Sequence, residues 1–108
     1  MAKAEYIQRG DNIDYTATAN VAYMEIVPLV SRIGVALAEI PKGETGTLTI
    51  VGAFRIPALA EKLDVGHAVY WDKTQNAITG TSGANTVPAG TVIAAKEQAG
   101  TLALVRIG

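Results

Sequence analysis

The sequence predicts a mostly-β fold: one small domain, a β-barrel or sandwich built from hairpins, with at most one short helix. Three observations predict it. Leu48, Ile50, Gly52, Phe54 and Ile56 fall on one face of an extended chain, while Thr47, Thr49, Val51, Ala53 and Arg55 fall on the other. Turn-forming clusters separate β-branched runs at intervals of about eight to twelve residues. Finally, one pattern is written twice: a glycine, four small or apolar residues, a polar loop, then Gly-Thr-Leu. It reads Gly34–Ala38 with Gly46-Thr47-Leu48, and again Gly90–Ala94 with Gly100-Thr101-Leu102. The leading glycine and the Gly-Thr-Leu are 12 residues apart in the first copy and 10 in the second, so the copies are alike as hairpins and do not form a repeat array. In each copy the glycine is expected to release the chain from a turn, the threonine to suit an extended backbone, and the leucine to point into a shared core.

Residues 1–12 are polar and end in Arg9-Gly10-Asp11-Asn12, a turn composition; they are expected to form a flexible arm ahead of a single barrel-like domain at 13–108. From Ile13, the alternation of Ile13, Tyr15 and Ala17 with Asp14, Thr16 and Thr18 predicts a first strand. The apolar run from Ala22 to Ile40 is broken by Pro28, Ser31 and Gly34 and predicts two short strands. After the loop 41–46 comes the alternating run, with Gly52 expected at a bulge or a close backbone approach. Pro57 followed by Ala-Leu-Ala-Glu-Lys-Leu predicts the one short helix, at 57–63. Residues 67–79 read as two strand pieces joined by a polar turn, residues 79–90 as a long Gly/Ser/Asn/Pro loop, and the end of the chain as two strands repeating the opening hairpin.

Composition narrows function. The chain has 108 residues, 49% hydrophobic and 18% charged, which suits one domain with a core of its own and excludes disorder for most of its length. Nine basic against ten acidic residues, spread singly, give no footprint for a phosphate backbone, so nucleic acid is not an expected partner. Without cysteine there is no disulfide and no thiolate metal site. The opening residues lack the apolar stretch of a signal peptide, and no run approaches the length of a membrane span, so no membrane association is expected.

No constellation points to catalysis, a cofactor or a metal. His67 is the sole histidine and reads as a loop residue. Asp11 and Asp14 lack the alternation of a calcium loop; they read as a turn residue and a residue on the wet face of the first strand. The stretch Lys42–Thr47 lacks the lysine and helix that a phosphate loop needs, and Gly80–Asn85 has the composition of any mobile loop. Tyr70 and Trp71 are adjacent, so in a strand one enters the core and the other faces outward; an outward ring is a candidate interface anchor.

Four stretches, 6–21, 32–58, 65–79 and 89–108, resemble the phage capsid cement family of tailed phages and prophages, similar in role to the head decoration proteins of lambdoid phages. The resemblance implies a β-rich, non-enzymatic protein that needs no cofactor. It implies a homotrimer on the outside of the expanded head, in the virion, made in the host cytoplasm, with the major capsid protein as partner and the pressure of packaged DNA as the load. The segment 57–63 departs from many relatives. Under this resemblance the arm Ala2, Lys3, Ala4, Glu5, Tyr6, Ile7, Gln8 and Arg9 is the expected capsid-binding element, pairing with a strand edge while Tyr6 and Ile7 fill shallow pockets. The alternative is a non-catalytic module for a small ligand or carbohydrate, with the loop Thr79–Gly90 as its rim and Trp71 as a thin aromatic platform.

Overall fold

Short runs in which apolar and polar residues alternate become strands in the computed structural model, which describes residues 2–6 and 10–108. In chain order they are β1 (Asn12–Thr16), β2 (Ile26–Pro28), β3 (Ile33–Ala36), β4 (Thr45–Thr49), β5 (Gly52–Pro57), β6 (Ala68–Asp72), β7 (Ala77–Thr79), β8 (Thr86–Val92) and β9 (Leu102–Ile107). They form two antiparallel sheets, ordered β1-β4-β3-β2 and β5-β9-β8-β6-β7. The result is a sandwich-like fold and not a closed barrel. The second sheet comes nearest to closure where Ile78 of β7 makes a single parallel bridge to Ala58, just past β5; one bridge is not the continuous ladder that closure needs.

The strand orders expose an internal duplication. β1, β2, β3 and β4 correspond in turn to β5, β6, β8 and β9, each set in Greek-key order, with β7 added to the second. The registers agree residue by residue. Ile13 faces Leu48 as Phe54 faces Val105; Val27 faces Gly34 as Val69 faces Gly90; Ala36 faces Leu48 as Val92 faces Val105. The connections agree too. Val21 and Ile40 exchange two backbone hydrogen bonds, both 2.9 Å, and Leu63 and Lys96 exchange two at 3.0 and 2.8 Å. Leu37 N–H donates to Thr47 O at 3.1 Å, as Ile93 N–H donates to Leu104 O at 3.0 Å.

This alignment corrects the sequence comparison. The leading glycines, Gly34 and Gly90, are true counterparts, but the two Gly-Thr-Leu strings are not. Leu48 matches Val105, and Gly46 matches Ala103, the partners of Tyr15 and Ile56. Leu48 is accordingly buried while Leu102 is exposed at the start of β9, so only one of the two leucines reaches a core. Gly46 is required for a different reason than a turn: a Cβ there would lie 2.7 Å from Ile40 Cδ1. Gly90 has φ +154°, and a Cβ on it would collide with the backbone carbonyl of Arg106.

Three further expectations are overturned. The alternating run 47–56 is two strands, β4 and β5, broken at Ile50–Val51, and they belong to different sheets; Gly52, at φ +145°, opens β5 and does not bulge a continuous strand. The real bulge lies in β8, where the register against β6 shifts between Val69 and Tyr70. No helix occurs among the described residues, so 57–63 is not helical. Its backbone is taken by tertiary partners instead: Ala58 N–H donates to Thr101 O at 2.9 Å, Leu59 N–H to Ile78 O at 2.9 Å, and Leu63 pairs with Lys96. Tertiary pairing overrides helix propensity. The expected loop 79–90 is shorter as well: Thr86–Val92 is β8, with Val87, Ala89 and Val92 buried.

Two apolar clusters follow from this arrangement. The larger gathers Ile56, Leu63, Val69, Trp71, Ile78, Val92, Val105 and Ile107 of the second repeat, and it also takes Ile33 and Val35 from the first. The smaller lies within the first repeat, around Ala17, Val21, Val27, Ala36, Ile40 and Leu48. Buried on every residue, β3 serves both clusters and joins the halves.

Candidate functional site

Among the described residues, no group of three or more His, Asp or Glu side chains could hold a metal ion. His67 is exposed in the turn before β6, with Nδ1 2.7 Å from Ala68 O. Asp14 faces out from β1, and the Asp11 carbonyl accepts Ile50 N–H at 2.8 Å and the Thr49 hydroxyl at 3.2 Å.

One polar cluster is enclosed. Lys96 is buried and its Nζ donates to the carbonyls of Glu61 at 2.6 Å and Glu97 at 3.1 Å. The Glu61 carboxylate accepts the Thr79 hydroxyl at 2.7 Å and Gly80 N–H at 2.9 Å. Lys96 occupies the place that Ile40 fills in the first repeat. These partners all belong to the protein itself, so the cluster fastens the 59–63 segment to the end of β7 and to the connection between β8 and β9.

Open grooves take the place of a cleft. One of them, about 450 Å³, runs between the repeats and is lined by Met24, Glu25, Ile26, Pro57, Trp71 and Asn76. Trp71 enters the larger core and Tyr70, its neighbour on β6, is half-buried on the other side. Trp71 is 6% exposed and so presents little of its ring to that groove. The 80–85 loop is braced at its end by Thr86, whose hydroxyl accepts Gly83 N–H at 2.8 Å and donates to Gly83 O at 2.9 Å.

The surfaces left for recognition are edges, tips and the arm. Strands β1 and β2 are the edges of the first sheet, β5 and β7 those of the second. Residues 2–6 lie outside any strand and are exposed, Tyr6 strongly so; Ile7, Gln8 and Arg9 of the expected arm fall outside the described residues. Sequence reasoning missed the turns beside β3 and β8, where Tyr23, Leu37, Val65 and Ile93 stand exposed. The signal was present: Leu37 and Ile93 each follow their leading glycine by three residues, within the one part of the repeated pattern that does align. An arrangement of strands with free edges and exposed apolar side chains at its turns can bind a protein surface.

Comparison with known proteins gives one match. A family model described as phage cement protein covers residues 7–107. Neither a curated protein nor a solved structure matches the chain.

Proposed function

The chain belongs to the phage cement protein family, and on that premise we propose that it decorates the outside of the expanded phage head as a homotrimer, holding neighbouring major capsid subunits together against the pressure of packaged DNA. It acts by contact and not by catalysis. The family match over 7–107 carries the reading.

The arm Ala2–Arg9 is proposed to fold on contact, adding a strand to an edge of a capsid subunit with Tyr6 and Ile7 in shallow pockets. Ordering a free backbone costs roughly 1–2 kcal/mol per residue, so a single arm binds weakly. Three arms on one body reinforce each other, raising binding by about 10² to 10⁴ when the sites match the body's geometry. Tyr70, half-buried on β6, is proposed as a contact within the oligomer. Deleting residues 2–9 is expected to leave a folded oligomer that no longer cosediments with expanded shells; undiminished binding removes the arm from the mechanism. Sedimentation equilibrium of the intact chain checks the trimer directly, and a monomer at micromolar concentration contradicts it.

A further inference from the structure

Each repeat carries, at the same place, a pair of exposed apolar side chains that its own fold does not use. In the first, Tyr23 (67% exposed) stands in the turn before β2 and Leu37 (42%) directly follows β3. In the second, Val65 (66%) and Ile93 (42%) hold the corresponding places before β6 and after β8. One backbone hydrogen bond keeps each pair of turns side by side: Met24 N–H to Ala36 O at 2.8 Å, and Gly66 N–H to Val92 O at 2.8 Å.

Single exposed apolar side chains are ordinary on a protein surface. A matched pair in two halves that differ at most other surface positions is not explained by scatter, because packing preserves buried positions and exerts no such hold on these. The backbone supplies an independent observation. Met24 has φ +65°, in the left-handed region, where its counterpart is Gly66 at φ +88°. A side chain there costs about 1–2 kcal/mol, and Met24, 44% exposed, recovers little of it by packing. The methionine adds apolar surface beside Tyr23 that Gly66 does not add beside Val65.

We propose that Tyr23 with Met24 and Leu37, and Val65 with Ile93, form two equivalent docking tips whose occupant is two neighbouring copies of one capsid subunit surface, each offering a shallow apolar socket. The proposal rests on the cement reading and deepens it. The occupant follows from the repetition: two like tips fixed on one rigid body match a partner that presents the same socket twice at fixed spacing, as a shell of identical subunits does. Each tip alone is small and weak. Joined through the shared core, the second docks at the effective concentration set by the first, a gain of about 10² to 10⁴ in binding.

The test uses the full chain and expanded shells assembled from the major capsid protein of the same phage. The variants are Tyr23→Asp with Leu37→Asp, Val65→Asp with Ile93→Asp, and all four together. Each pair is expected to weaken cosedimentation by about 10²-fold, and the fourfold variant to lose it, while circular dichroism and the sedimentation coefficient stay those of the unaltered protein. Full binding by either pair variant overturns the proposal. So does a changed sedimentation coefficient, which makes the tips a contact between copies of this chain. If the unaltered protein fails to bind shells, the cement reading falls and takes the tips with it; binding that ignores the tips refutes this proposal alone.

Discussion

Met24 and Gly66 show how one backbone position behaves with and without a side chain. Both sit in a turn and donate N–H to the last residue of a neighbouring strand, Ala36 of β3 and Val92 of β8, and both have positive φ. Glycine adopts that conformation freely, whereas methionine is held in it by the surrounding pairing. Met24→Gly is therefore expected to stabilise the fold by about 1 kcal/mol, less what glycine adds to the entropy of the unfolded chain. Thermal unfolding checks it: a rise of about 4 °C in the midpoint is expected for a chain of this size, and a fall shows that the methionine packs more than its exposure indicates. Gly34 and Gly90 make the complementary point. A Cβ on Gly34 would meet Leu48 Cδ1 at 3.1 Å, a side chain that can shift, while on Gly90 it would meet fixed backbone. Equivalent positions thus tolerate different substitutions.

At the scale of strands and connections, local pattern was a good guide and long-range pairing was not. The alternation in Asn12–Thr16, Ala68–Asp72 and Leu102–Ile107 made these strands legible, since one face of each meets the core and the other meets water. Alternation carries no mark of which sheet a strand joins, so the break at Ile50–Val51 was invisible in it. The 57–63 segment misled for a related reason: Pro57 suits a first helical turn and good helix formers follow it, yet Glu61, Lys96 and Thr79 are far apart in sequence and only the folded chain brings them together. Of the proposed interaction surface, the arm and the Tyr70–Trp71 pair could be named from their letters, whereas the proposed tips needed an alignment that the misleading Gly-Thr-Leu match obscured. The Glu61 tie predicts its own strength. Glu61→Ala strips the acceptor from the Thr79 hydroxyl and Gly80 N–H, and is expected to cost about 2 kcal/mol, with Glu61→Gln costing less. Urea titration measures both; equal stability of the alanine variant and the parent shows that water replaces the carboxylate without loss.

As a whole molecule, the chain is two copies of one design sharing a core. Because Ile33 and Val35 of the first repeat sit in the larger cluster of the second, neither half buries its apolar faces alone, and the two are expected to unfold together. The ends of the body meet at the junction of the halves: Asp11 O accepts Ile50 N–H at 2.8 Å, and a Cβ on Gly108 would lie 2.9 Å from Ile50 O. A permutant that begins at Val51, joins Gly108 to Asp11 through a short glycine-serine linker and ends at Ile50 is expected to keep the parent's strand spectrum and a single unfolding transition. Loss of folded structure in that permutant contradicts the independence of the two designs from their order in the chain. The duplication also bears on orientation. Where its paired features are alike, an object made of two parts can settle on a regular lattice facing either way, forward or shifted by one part. The β7 hairpin, found in one part only, removes that ambiguity: it gives the body a head and a tail, so that every molecule on a shell can point in the same sense.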